Sequence, residues 1–514
     1  MSPPTSPSPD ELATCLRVLG ALVEDRALFA AVPEDTRRAL AVLAGRLSRP
    51  ERDEVRRFAK ALRKQERGEV RSRDEALLDG TGVRTLRRQS VFPTPLLAAP
   101  TPAPSATVEE PGPEPAELTE PRKCYVCKEP YRRLHTFYDQ LCPPCAQHNW
   151  DKRQQTADLS GRVALLTGGR VKIGYHAGMK LLRAGATLLV TTRFPRDAAK
   201  RYAAEPDFAD FRHRLHVYGL DLLHTPSVER FAEHLESAYP RLDFIVHNAC
   251  QTVRRPPAYY AHMMDGERAI RESTSPEERR LLEGWESLRG GEPAEGSGAL
   301  LAAVLSEGRE AVGLARPQAF SELTHDFDRD GGDARNFPLG RLDADLQQVD
   351  LREKNTWRMT LSEVPTVELL EVHLVNAIAP FVLNGRLRRM MARDCPGDRH
   401  IVNVSAMEGQ FERPWKTDKH PHTNMAKAAL NMMTRTSAQD YAKDGIWMNA
   451  VDTGWITDED PATITVRKRE EHGFHPPLDV VDGAARICDP IFHGLRTGEH
   501  YVGLFLKDYA PAPW

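Results

Sequence analysis

The stretch "GRVALLTGGRVKIGYHAGMKLLRAGATLLVTTR", Gly161 to Arg193, declares its structure through its own chemistry. Val163 to Leu166 is a short apolar run suited to a strand buried on both faces. A glycine turn follows, then a helix from about Ile173 to Arg183, a stop at Gly185 and a second strand reaching Thr191. Strand, glycine turn, helix and strand together set the free N–H groups of a helix N-terminus against a pyrophosphate. The expected fold class is α/β, a doubly wound parallel sheet of Rossmann type, over residues 158–514.

Downstream motifs extend this reading in order. "TGGRVKIG" carries Thr167, Gly168, Ile173 and Gly174; "LDLLH" carries Asp221 and Leu222; "VHNACQT" carries Asn248 and Ala249. "HLVNAIAPF" supplies Asn376, "IVNVSAMEG" supplies Ser405, and "TNMAKAALNMMTRTSAQDYAKDGIWMNAVDTGWIT" runs through Thr423 and Lys427 to Gly454, Ile456 and Thr457. In this ordered series the chain resembles the short-chain dehydrogenase/reductase family. The resemblance implies that the glycine turn, Asp221, Leu222, Asn248, Ala249, Lys427, Gly454, Ile456 and Thr457 bind a nicotinamide dinucleotide. It also implies catalytic roles at the positions of Asn376, Thr423 and Lys427, and at a serine position that falls on Ala406 with Ser405 one residue earlier.

Charge argues for the cofactor. An NAD site usually ends its second strand with a carboxylate for the ribose hydroxyls, which repels a 2′-phosphate. Here that strand ends "TTRFPR", with Arg193 and Arg196, and Arg170 and Lys172 stand in the turn. NADP is therefore expected ahead of NAD.

Three departures from the family pattern stand out. Lys172 occupies a glycine position, so it must turn outward or reach a phosphate itself. Thr423 replaces the tyrosine that exchanges a proton with substrate, and an aliphatic hydroxyl is too weak an acid for that task. His422 directly precedes it and titrates in the useful range, with Glu412, Lys416, Asp418 and His420 nearby as further candidates. Finally, Asn248 and Asn376 are 128 positions apart, which marks an insertion at about 253–365 expected to cap the pocket. Tyr259 or Tyr260 in that insertion is a candidate for the missing phenol. The stretch "DFDRDGGD" within it has calcium-loop flavour but lacks the closing glutamate.

Upstream the texture differs. Residues 1–91 show helical spacing of apolar residues, and residues 92–121 alternate proline with small and acidic residues as a linker. Residues 122–157 hold Cys124, Cys127, Cys142 and Cys145, two CxxC pairs with fourteen residues between them. That spacing predicts a four-thiolate structural site for Zn2+, iron being the alternative for a sulfur tetrahedron, with a short hairpin around "LHTFYD".

Eight cysteines, four of them in these pairs, suit a reducing compartment, and the chain is expected to be cytoplasmic. A net charge of -3 gives no global pull toward nucleic acid or membrane. The expected partner is a small-molecule substrate, with a homo-oligomer or protein partner reached through the N-terminal modules. The expected activity is hydride transfer between NADP(H) and a carbonyl or alcohol. A silent dinucleotide-binding scaffold, and an isomerase or lyase using bound nicotinamide, are the alternatives.

Overall fold

The computed structural model describes residues 7–89, 116–289, 311–325, 335–343, 345–394, 396–413, 416–457, 459–473 and 475–514. The chain divides into two compact units, Met1–Ala76 and Leu77–Trp514. The linker residues 90–115, "DFDRDGGD", Cys395 and part of the insertion lie outside the described residues.

The first unit is helical, with helices Pro9–Glu24, Arg26–Ala31 and Glu34–Ser48 and most of Arg52–Asp79. Ser8 caps the first helix reciprocally with Glu11, satisfying two free N–H groups at its start. None of the first three helices buries a residue. The expected boundary at residue 91 moves inward, because the last short helix, Gly82–Arg87, belongs to the larger unit. There Val83 is buried and Arg84 pairs with Asp139 at 2.7 Å.

The cysteine module follows. Strands β1 (Glu117–Lys123) and β2 (Pro130–Arg133) pair antiparallel around the first CxxC turn, and the helix Pro143–Gln154 starts at the second. This corrects two expectations. The hairpin encloses Cys124 and Cys127 rather than "LHTFYD", and the start of β1 lies within the stretch assigned to the linker. "LHTFYD" instead supplies Phe137 and Tyr138, whose rings meet edge to face at 4.8 Å in the module's core.

The remaining chain forms an eight-stranded sheet in the order β10-β9-β8-β7-β6-β3-β4-β5. Its parallel strands are β3 (Val163–Thr167), β4 (Thr187–Thr192), β5 (Leu215–Gly219), β6 (Phe244–His247), β7 (Arg399–Ser405), β8 (Ile446–Asp452) and β9 (Phe505–Lys507). Strand β10 (Ala510–Ala512) closes the sheet antiparallel. Chain order reverses between β3 and β6, so the crevice at their carboxyl ends is where such sheets bind ligands.

The helix Thr366–Ala392 is long and apolar enough to cross a membrane by length and composition. Val375, Leu383, Leu387 and Met390 pack it into the core of this sheet domain.

The insertion does more than cap. Its helix Pro276–Arg289 lies against β5, where Trp285 is 1% exposed and donates its indole N–H to Leu314 O at 2.8 Å. A Cβ on Gly284 would lie 2.5 Å from the Tyr218 hydroxyl, and one on Gly219 would lie 2.5 Å from Trp285, so both positions need glycine for this contact. Successive strand residues face opposite ways, so a helix touching both sits at the rim of the sheet.

Candidate active site

The phosphate turn is built by close backbone approach. Gly168 has φ +72°, and a Cβ there would lie 2.8 Å from Ala249 Cα. A Cβ on Gly174 would meet Gly168 O at 2.2 Å and Asn248 Nδ2 at 2.3 Å. Asn248 Nδ2 donates to Gly168 O at 2.9 Å, and Ala249 N donates to Thr167 Oγ1 at 3.1 Å. The two motifs thus form one rigid crevice wall.

Lys172 begins the following helix at φ +53°, holding the left-handed backbone that a glycine would adopt. That costs an L-residue about 1–2 kcal/mol. Its side chain is only partly exposed. Burial opposes its charge, but Glu459, Asp345 and Asp343 outweigh that and hold its pKa above the ordinary lysine value.

The other three expected cations, Arg170 in the turn and Arg193 and Arg196 after β4, separate into different roles. Arg170 is taken by Asp197 at 2.8 Å and by Gln347 Oε1 at 2.7 Å. Arg196 pairs with Glu286 at 2.9 Å and lies 3.7 Å from Glu267. Both acids come from the insertion, so Arg196 serves to dock it. Arg193 differs: its terminal nitrogens donate to Ser321 Oγ at 2.9 Å and Tyr260 Oη at 3.0 Å. Among the described residues its hydrogen-bond partners are hydroxyls.

Asp221 is 1% exposed. One carboxylate oxygen accepts from Leu223 N at 3.0 Å, and the other, Oδ2, has no hydrogen-bond partner. Burial pushes its pKa up to about 6. Neighbouring Leu222 is buried, and Gly313 of the insertion accepts from Asp221 N at 2.8 Å. An unpartnered acceptor, a crevice wall with no room for a Cβ and two deep-set cations fit the amino group, backbone and phosphates of a dinucleotide.

The catalytic positions are arranged otherwise. Ser405 ends β7 and donates to Asn431 Oδ1 at 2.6 Å. On the helix Pro421–Ala442, Lys427 Nζ donates to Val404 O at 2.9 Å, and Thr423 Oγ1 to Thr252 O at 3.3 Å. All three are buried, with hydroxyls and ammonium turned onto protein. Asn376 lies in a π-helical turn, Leu374–Ile378, a distortion common at functional sites. Its amide grips Gln251 twice, accepting from its N and donating to its O, each at 2.9 Å.

His422 is buried, and neither ring nitrogen has a hydrogen-bond partner. Nε2 stands 3.8 Å from Glu368 Oε1. Burial, helped by His420 and His373, brings its pKa down to about 4. Burial raises that of Glu368, which accepts from Arg254 N at 2.8 Å and Thr356 Oγ1 at 2.6 Å. Of the other loop candidates, Glu412 and Asp418 are exposed, Lys416 bonds the Glu408 carbonyl, and His420 stacks on Trp357 at 3.8 Å.

The two insertion tyrosines correct an expectation. Tyr260 serves Arg193, and Tyr259 lies near Lys172, with the Arg255 guanidinium 5.3 Å from its ring. Both belong to the phosphate side. Sequence reading also missed Asp452, which accepts from Met407 N and Gly454 N at 3.2 Å each. Its place as the last residue of β8 was the available signal.

In the cysteine module the sulfur atoms of Cys124, Cys127, Cys142 and Cys145 all lie within 4.8 Å of one another. Four thiolates on zinc stand about 3.8 Å apart, given Zn–S bonds of about 2.3 Å. The Cys127 and Cys142 sulfurs are 3.6 Å apart, so the cluster fits a tetrahedral ion.

Parts of the chain are similar to known proteins. The family model for short chain dehydrogenase matches residues 162–270, and that for enoyl-(acyl carrier protein) reductase matches residues 339–475. An uncharacterised protein of Acanthamoeba polyphaga mimivirus is 31% identical over 382 residues, covering 72% of this chain and 71% of that protein. A dehydrogenase/reductase SDR family member 13 from Bos taurus is 31% identical over 118 residues, 22% of this chain and 29% of that protein. Among solved structures, the Pseudomonas aeruginosa RhlG/NADP complex aligns at 15% identity and TM-score 0.41, over 68% of this chain and 95% of that one.

Proposed function

We propose that this chain, which belongs to the short-chain dehydrogenase/reductase family of oxidoreductases, moves hydride between NADP(H) and a carbonyl or alcohol substrate. The observation that carries the choice of NADP is Arg193, a deep guanidinium at the end of β4 whose hydrogen-bond partners are the Tyr260 and Ser321 hydroxyls. Such a fork is available to a 2′-phosphate, because the nearby carboxylates of Asp221 and Glu371 act on it through space without taking its hydrogen bonds, whereas Arg170 and Arg196 are paired directly with acids. Lys172 and the helix N-terminus behind it would take the pyrophosphate, the Asp221 carboxylate the adenine amino group, and Lys427 the nicotinamide ribose. The cofactor, when bound, supplies or accepts the hydride.

Thr423 supplies no acidic proton. His422, brought down to about 4 by burial, is neutral at pH 7 and has no imidazolium proton to give; the adjoining Glu368 carboxyl, which burial holds above the ordinary carboxylate range, is the candidate donor beside it. The four-thiolate cluster would hold structural zinc, which suits a reducing compartment such as the cytoplasm.

A second reading, dinucleotide binding without turnover, is favoured by one observation: Ser405, Thr423 and Lys427 are all buried and already bonded to protein. Titrating the protein with NADPH and NADH by nicotinamide fluorescence, then presenting a carbonyl panel to the NADPH complex, separates the two. Oxidation that slows in Glu368→Gln supports the reductase. Tight NADPH binding with no oxidation by any carbonyl supports the silent protein, and absence of binding sinks both.

A further inference from the structure

The cysteine module and the dinucleotide crevice share a wall. The turn leaving β8, Asp452 to Ile456, stands at the carboxyl edge of the sheet, beside Ser405 at the end of β7. One side of this turn is fixed by Asp452, whose carboxylate accepts from Met407 N and Gly454 N. The other side is held by Tyr125, the residue immediately after the first ligand cysteine in Cys124-Tyr125-Val126-Cys127. The Tyr125 hydroxyl accepts from Trp455 N at 3.0 Å, and its own N donates to Gln140 O at 2.8 Å.

Gly454 has φ +80°, and a Cβ there would meet Leu478 at 2.5 Å and the Tyr125 hydroxyl at 3.5 Å. Two residues on, Ile456 is buried in the module's own core with Leu478, Val480, Val481 and Cys124. Ile173 of the phosphate turn packs against that same core, and Ile456 and Ile173 flank Gly483 together. The module therefore touches the phosphate turn and the β8 turn at once. Further grips tie it to the body, including Arg153 to Asp479 at 2.6 Å and Gln140 Nε2 to His475 O at 2.6 Å.

We infer that the metal-set CxxC turn is a clamp on the cofactor crevice, with Tyr125 as the positioning residue that fixes the Gly454–Ile456 turn. A bound ion would be held by Cys124 and Cys127 and would fix the backbone between them; that backbone aims the phenol, and the phenol holds Trp455 N. Metal occupancy and dinucleotide affinity are then coupled, and coupling of two equilibria is reciprocal. The inference rests on the zinc and NADP assignments above.

The test uses the full chain and Tyr125→Phe, which keeps the ring and removes only the hydroxyl. Metal analysis and NADPH titration of the wild type come first; missing zinc or missing NADPH binding overturns the underlying assignment and the clamp with it. With both present, Tyr125→Phe is expected to retain stoichiometric zinc while binding NADPH about five-fold more weakly, the loss of one hydrogen bond. A second readout follows zinc transfer to a colorimetric chelator. NADPH should slow it in the wild type and lose that effect in Tyr125→Phe, which a phenol that merely packs would not do. A variant that binds NADPH as the wild type does, with zinc release indifferent to NADPH in both proteins, overturns the clamp alone.

Discussion

The two halves of the crevice make opposite use of the same fold. On the phosphate side, Lys172 and Arg193 are deep, partly exposed cations, and Asp221 keeps an acceptor without a partner. On the catalytic side, Ser405, Thr423 and Lys427 have closed their polar atoms onto Asn431, Thr252 O and Val404 O. One half is built to receive a charged ligand, and the other is internally satisfied. Thr423 stands where the family pattern has a tyrosine, and its short hydroxyl donates to Thr252 O at 3.3 Å. The difference teaches that the residues expected to hold a dinucleotide and those expected to move a proton are held by separate sets of contacts in this fold.

Acid is the harshest way to break the catalytic side. His422 folds with a pKa of about 4 against an ordinary value of 6.5, so the unfolded chain binds more protons between those limits. Stability from this group is complete above pH 6.5 and is lost as pH falls toward 4, by up to about 3 kcal/mol. Denaturant midpoints measured from pH 7 to pH 4 should therefore decline less steeply in His422→Leu than in the wild type.

On the phosphate side, Arg193→Met should weaken NADPH binding roughly 10- to 100-fold, the worth of a charge-assisted hydrogen bond. NADH binding should change little, and equal losses for both would remove Arg193 from 2′-phosphate recognition. Restoring the family's tyrosine by Thr423→Tyr tests how closed the catalytic side is. Thr423 is 1% exposed, so overpacking should cost roughly 1–3 kcal/mol in urea unfolding, with no gain of carbonyl reduction. A stable variant with faster carbonyl reduction than the wild type would show that the pocket is open after all.

The smallest effect sharpens the contrast within one residue. Lys172→Gly relieves a left-handed backbone and should raise stability by about 1 kcal/mol while weakening NADPH binding, because the same change removes a cation. Calorimetry and fluorescence titration of this one variant would move in opposite directions.

Local chemistry was legible in the sequence where it repeats along the chain. The glycine turn, the buried strands, the lysine helix and the CxxC pairs each act through neighbours a few residues apart, and the structure places them in one crevice and one cluster. The role of the insertion was not legible. Tyr260 and Ser321 reach Arg193 across 67 and 128 positions, and no periodic pattern announces such contacts. Strand β1 was hidden for a different reason: "ELTEPRK" has no apolar alternation, and Pro121 within it is tolerated because the strand has a partner on one side only. Arg170 and Arg196 look like Arg193 in sequence, and only the positions of Asp197, Glu267 and Glu286 tell them apart.

The helix Pro276–Arg289 along β5 has a consequence for how copies of this chain meet. An outermost strand presents unpaired N–H and C=O groups, a ready template for strand addition and uncontrolled association. With Trp285 and Gly284 set against Gly219 and Tyr218, that rim of the sheet is shielded from a strand of another molecule. Assembly across the β5 edge must then be made through side-chain surfaces, which can choose their partners, rather than through backbone, which cannot.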